Sequence, residues 1–277
     1  MTQERFMHRT LKRGTALLEG FESRLTSYDL FAASVAAMLA AHLFATFGRP
    51  EGAYLWTQVP LRIFIPVFLF SIGYNTGRRV GRSLWICAGA MLFMQWSAFH
   101  GYFPFFPVTP FVTIILTRLF LERLMEAALR SRARFLAVNA ILVALIVPTH
   151  LYVADYGTYG VIMAMLGWLV RNERDVPKKI VDVRAYCIFA YCVHVAFVHA
   201  FILILAGQFA AVVLGSAYVF RLLYGFRARI VSALRRKPRD MVEKICGFLG
   251  HKTLELFMLM VLVLQFFLYY ALTFPPR

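Results

Sequence analysis

The stretch Trp56-Thr-Gln-Val-Pro-Leu-Arg-Ile-Phe-Ile-Pro-Val-Phe-Leu-Phe-Ser-Ile-Gly-Tyr-Asn-Thr-Gly-Arg-Arg79 decides the fold. It is a nearly continuous apolar run closed at one end by two cations. Roughly 20 apolar residues cross the hydrocarbon core of a bilayer as a helix, so the run reads as a membrane span over 56–77. Outward from it the same unit recurs. Further apolar runs begin near Tyr28, Ser83, Phe103, Arg134, Gly157, Ala185, Gln208 and Thr253. Lys and Arg collect in every second gap, in sets around Arg5 to Arg24, Arg78 to Arg82, Arg123 to Arg134, Arg171 to Arg184 and Arg227 to Lys244. The intervening gaps hold almost no cations. Cytoplasmic loops retain Lys and Arg because cations are poorly translocated. The sequence therefore predicts an all-α polytopic bundle of about nine transmembrane helices, with the N-terminus cytoplasmic and the Pro-Pro-Arg tail outside.

Composition bounds the function. The 277 residues are 60% hydrophobic, with a mean hydropathy of +0.66, more apolar than a soluble domain of this size. About nine spans leave no length for a soluble catalytic domain, so any chemistry uses the bundle or its rims. The net charge of +16 does not argue for nucleic acid. The cations flank spans, where positive-inside bias and anionic headgroups account for them. The four cysteines, Cys87, Cys187, Cys192 and Cys246, form no CxxC and no His-plus-Cys metal spacing, so no metal is expected and they read as small buried hydrophobes.

Two regions flank the apolar core of the chain. Residues 1–27 place Phe6, Leu11, Leu17, Leu18 and Phe21 among Arg and Lys, as in a helix lying in the cytoplasmic interface. Residues 28–277 form the bundle, with a basic cytoplasmic segment at about 226–252. Pro60 and Pro66 are expected to break or kink the second span. The apolar stretch 185–225 is twice the length of a span and divides near Gly207-Gln208.

Ionisable groups inside a membrane cost about 2.5–3.5 kcal/mol each on insertion scales, so each is a functional candidate. His42, Arg62, His100, His150 and Asp155 fall in the outer half or rim, with His199 beside them. An imidazole there can act as a base, and an arginine can hold a carbonyl or phosphate oxygen. His42, Arg62 and Asp155 are the candidate catalytic residues. His100, His194 and His199 read as structural. At the inner end, Asn75, Arg78, Arg79 and Arg118 are candidates for a mouth that binds an anionic, phosphate-bearing donor. Arg118 and Glu122, four apart, also suit a helix-face ion pair.

Several of these segments, in order, resemble the TraX family of conjugal transfer proteins. Leu25-Thr-Ser-Tyr-Asp29 leading to Met38-Leu-Ala-Ala-His42 looks like that family's opening. Arg62-Ile-Phe-Ile-Pro-Val-Phe-Leu-Phe70 looks like its Arg-x-x-x-Pro-x-Phe-x-Phe span, and Asp155-Tyr-Gly-Thr-Tyr-Gly160 like its Asp-Tyr-Gly-x-x-Gly turn. Thr253-Leu-Glu-Leu-Phe257 resembles the start of the last helix in related integral-membrane acyltransferases. Ala41 and Met260 stand where those families place an acid and a histidine. The resemblance implies a bacterial inner-membrane acetyltransferase that moves an acetyl group from acetyl-CoA to the N-terminal amine of a pilin-like exported protein, with His42 as base, Arg62 as the oxygen-binding cation and Asp155 at the outer edge. Membrane lipids and a pilin-like substrate are then the partners, and a homo-oligomer is left open. Two rivals stand beside it. One is a non-catalytic membrane component of a conjugation or secretion machine. The other is a small-molecule transporter, which Pro60 and Pro66 favour by interrupting a helix and the lack of an inverted repeat disfavours.

Overall fold

The computed structural model describes residues 53–75, 80–98, 110–153, 156–201 and 206–226, with isolated helical positions at Ala33, Ser34, Ala36, Ala37, Ala40, Leu259 and Val263. Each apolar run among the described residues becomes helical. A helix pairs its backbone N–H and C=O groups within its own segment, which a run surrounded by hydrocarbon requires. The helices are α1 (Ala53–Tyr74), α2 (Arg82–Ala98), α3 (Pro110–Ala128), α4 (Arg132–Ala144), α5 (Ile146–Tyr152), α6 (Gly157–Arg171), α7 (Val183–Phe201) and α8 (Ala206–Tyr224). The described residues are all-helical apart from turns and links. Over Val183–Ala200 and Gly207–Tyr224, α7 and α8 are long and apolar enough to cross a membrane. The division of 185–225 falls where expected, between Phe201 and Ala206. The first and last predicted spans, and the basic segments 1–27 and 227–252, lie outside the described residues.

The sequence misplaces the broken helix. α1 runs unbroken through both Pro60 and Pro66; neighbouring helices pack around the backbone at buried Pro66, whereas Pro60 lies exposed in the first half of the helix. The break comes instead between α4 and α5, which meet at 45°. Its cause is Pro148, which offers no N–H to the carbonyl of Ala144 and whose ring crowds that carbonyl. The turn at Leu145 is then stapled from outside. Thr158 on α6 donates its hydroxyl to the carbonyl of Leu142 at 2.7 Å and its backbone N–H to Thr149 Oγ1 at 3.0 Å.

The centre of the bundle is α6, whose residues from Tyr159 to Val170 are buried almost without exception. It packs along α1 with the two backbones in close approach, and α3, α4, α5 and α7 surround it. Glycine permits the α1–α6 seam. A Cβ on Gly73 would overlap the carbonyl of Ala164, and one on Gly167 would overlap the carbonyl of Phe70. Small residues at such seams are how membrane helices gain dispersion contact when hydrocarbon supplies no hydrophobic drive. The outer surface is correspondingly apolar: Ile86, Phe93, Leu136, Ile141, Ile188 and Leu214 are each more than half exposed.

Among the described residues, cations from three of the basic gaps gather at one end of this bundle. Arg171 Nη1 donates to the carbonyl of Tyr74, closing α1 with a cation where the helix dipole favours one. Phe226, which opens the basic segment after α8, packs edge-on to Tyr74 with ring centroids 4.7 Å apart. Arg132, at the start of α4, and Lys178 and Lys179, from the link between α6 and α7, line one groove. The alternation of charge along the chain thus becomes a polarity of the folded bundle.

Candidate functional site

At the opposite end the turn Tyr156-Gly-Thr-Tyr-Gly160 builds a polar centre in an apolar bundle. Tyr156 adopts φ 66°, ψ −21°, a left-handed conformation that costs a non-glycine residue free energy and persists only when its surroundings impose it. Here they do. The Tyr156 N–H donates to His150 Nδ1 at 3.3 Å, and the Tyr156 carbonyl accepts from the Gly160 N–H at 3.0 Å. Gly157 follows at φ +40°, where a Cβ would overlap the Thr149 side chain. This geometry starts α6 at a fixed register and turns Tyr159 into the bundle.

Tyr159 is fully buried and stacks on Phe197 of α7, with centroids 4.3 Å apart and planes 3° from parallel. Its hydroxyl lies 2.8 Å from His194 Nδ1, and His194 Nε2 lies 3.1 Å from Ser216 Oγ on α8. Three helices are therefore joined by one chain of hydrogen bonds. His194 is 1% exposed and Ser216 is 0% exposed. A neutral imidazole has one donor and one acceptor nitrogen, and each hydroxyl can play either role. Two proton orders are possible for the chain, and the first leaves no buried phenol proton without an acceptor. In one, Tyr159 donates to Nδ1 and Nε2–H donates to Ser216. In the other, both bonds reverse.

Arg62 on α1 supplies the charge. Its guanidinium lies within electrostatic range of His150, Tyr159 and His194. Its Nε is buried and has no hydrogen-bond partner among the described residues. Arg62 stands twelve residues before Tyr74, so it sits roughly 18 Å from the basic end at 1.5 Å per residue. A cation at that depth with a buried, unused donor has the chemistry to hold an oxygen that carries or develops negative charge.

Of the expected outer cluster, Arg62 and His150 lie within electrostatic range of each other. His199 is exposed and packs against Phe209, away from it. His42, His100 and Asp155 lie outside the described residues, as do Arg78 and Arg79. Asn75 is exposed just beyond α1. Arg118 is in the middle of α3 rather than near its inner end, ten residues before Ala128, and its Nε is also buried without a partner. Among the cysteines, Cys187 is buried as expected, but Cys192 is exposed on α7. The residues that sequence reasoning left out of the cluster are His194, Tyr159 and Ser216. His194 and His199 differ by five positions, or about 140° around a helix, so one faces in when the other faces out. Both faces of α7 are apolar, so the residue pattern does not distinguish them. Among the described residues no group of His, Cys, Asp and Glu is arranged to hold a metal ion. No family model, curated protein or solved structure matches the chain.

Proposed function

We propose that the chain is a multi-pass acetyltransferase of TraX type in the bacterial inner membrane, with about nine spans and a cytoplasmic N-terminus, that transfers an acetyl group from acetyl-CoA to the N-terminal amine of a pilin-like exported protein. The observation that carries this reading is Arg62: a half-buried arginine on α1 whose buried Nε–H has no partner among the described residues, within electrostatic range of two imidazoles, in the segment where the resemblance expects an oxygen-binding arginine. In the reaction the free amine attacks the acetyl carbonyl carbon. A C–N bond forms, the C–S bond breaks, the amine proton passes to a base, and the CoA thiolate leaves and takes up a proton. Arg62 offers Nε–H to the carbonyl oxygen as it gains negative charge. His42 is the base assigned by the resemblance, with Asp155 at the outer edge. The Tyr159–His194–Ser216 chain ties α6, α7 and α8 together beside Arg62. The anionic donor enters from the basic end, past Asn75, Arg78 and Arg79, with Arg118 deeper in the bundle.

The 45° break between α4 and α5 is the observation that favours the rival transporter reading, since broken helices line solute sites in such proteins. Ala41 favours the non-catalytic component. Binding of CoA separates acyl transfer from both. The purified full-length protein should bind CoA, and replacing Arg78 and Arg79 with Ala should weaken binding more at low salt than at high salt, because exposed attraction is screened. Absence of measurable CoA binding by the intact protein would overturn the proposal.

A further inference from the structure

A groove of about 350 Å³ opens at the basic end of the bundle, between α4, α7 and the link 172–182. Its rim carries three cations, Arg132, Lys178 and Lys179, all exposed. Among the described residues none of the three pairs with a carboxylate. The one acid in the lining, Asp182, is engaged elsewhere: its Oδ1 accepts the backbone N–H of Arg184 at 2.9 Å, at the start of α7. The walls are apolar, with Phe135, Leu136 and Phe189 among them. The polar groups in the lining are spent on one another. Tyr186 donates its hydroxyl to Asn139 Oδ1 at 3.0 Å, and Asn139 Nδ2 donates to the carbonyl of Phe135 at 2.8 Å. The groove therefore offers positive charge at its mouth and hydrocarbon-like walls inside.

We propose that this groove binds an anionic glycerophospholipid from the leaflet at the basic end of the bundle, with the phosphate held by Arg132, Lys178 and Lys179 and the first part of an acyl chain laid along Leu136 and Phe189. Charge complementarity selects an anion. Continuity with the membrane surface selects a lipid over a soluble phosphate ester. Leu136 lines the groove and is 58% exposed, and Ile188, next to Phe189, is 58% exposed on the same helix. The apolar wall thus runs out onto the surface that faces acyl chains. Basic pockets between spans on the positive side of a membrane protein are where acidic headgroups settle. This inference does not depend on the acyl-transfer reading, and it survives if CoA fails to bind.

The test uses the full chain, delipidated in detergent, with phosphatidylglycerol and phosphatidylcholine of matched acyl chains titrated by native mass spectrometry. Phosphatidylglycerol should bind at least tenfold more tightly. The triple variant Arg132→Gln, Lys178→Gln, Lys179→Gln should lose on the order of 100-fold, at about fivefold per surface cation, and fall to the level of phosphatidylcholine. A charge-matched triple elsewhere at the same end, Arg123→Gln, Arg130→Gln, Arg174→Gln, should change binding by less than about threefold. Leu136→Trp, which fills the apolar wall and leaves the cations, should weaken phosphatidylglycerol as well. Equal losses from the two triples would overturn the site in favour of diffuse attraction. Displacement of the lipid by equimolar glycerol phosphate or CoA would overturn the lipid assignment.

Discussion

Truncating His194 should cost far more stability than replacing the whole polar chain it belongs to. In His194→Ala the Tyr159 and Ser216 hydroxyls, both 0% exposed, lose their shared partner. Each orphaned buried hydroxyl costs about 1–3 kcal/mol. Ser216 recovers part of that by bonding the carbonyl one helical turn back, so Tyr159 carries most of the penalty. The lost ring, packed near Phe220 at 5.8 Å, leaves a void that adds about 2 kcal/mol. The total is about 3–5 kcal/mol. The hydrogen bonds themselves contribute little of it, since interhelical bonds in membranes average about 0.6 kcal/mol. Tyr159→Phe keeps the stack on Phe197 and orphans only one ring nitrogen, for about 1–2 kcal/mol. The triple variant Tyr159→Phe, His194→Leu, Ser216→Ala removes every polar group together and should lie within about 1.5 kcal/mol of the parent. Equilibrium unfolding in bicelles measures all three. A His194→Ala cost below about 0.5 kcal/mol, or a triple variant less stable than His194→Ala, would show that the orphaned hydroxyls carry no such penalty.

The α1–α6 seam makes a sign prediction. Gly73→Ala should destabilise by about 1–2 kcal/mol, because the overlap with the Ala164 carbonyl outweighs the gain in helix propensity. Gly89→Ala, where a Cβ meets nothing within 4 Å, should be neutral or stabilising by up to about 1 kcal/mol in the same unfolding assay. Topology reporters fused within 229–239 and after Arg277 should report the cytoplasmic and the external side respectively. Both on one side would end the nine-span reading.

The helices were legible because run length and charged gaps are direct consequences of the solvent around them. The starts of α6, α7 and α8 fall within two residues of where the apolar runs begin. The break was not legible, because a proline marks only a missing donor. Whether the helix breaks there depends on what satisfies the freed carbonyls. Beside Pro148 a threonine from α6 secures the bend, whereas buried Pro66 lies in a helix closely packed against α6 and α8. Arg62 was legible as a candidate through its insertion cost alone. Its neighbours were not. Tyr159 and Ser216 look like ordinary apolar-helix residues, and only packing of α6, α7 and α8 around His194 gives them a common purpose.

Acyl transfer by the residues proposed around Arg62 is read out by mass spectrometry of the N-termini of exported proteins. A strain lacking this protein should lose the modification from at least one pilin-like subunit, and the parent protein should restore it. His42→Ala should restore it roughly 100-fold less well or worse, the usual scale for loss of a general base. Arg62→Gln should be similarly impaired, on the scale of one lost oxyanion donor, about 100-fold or more. Unchanged acetylation in the deletion strain, or full restoration by both variants where the enzyme limits the yield, would contradict the account.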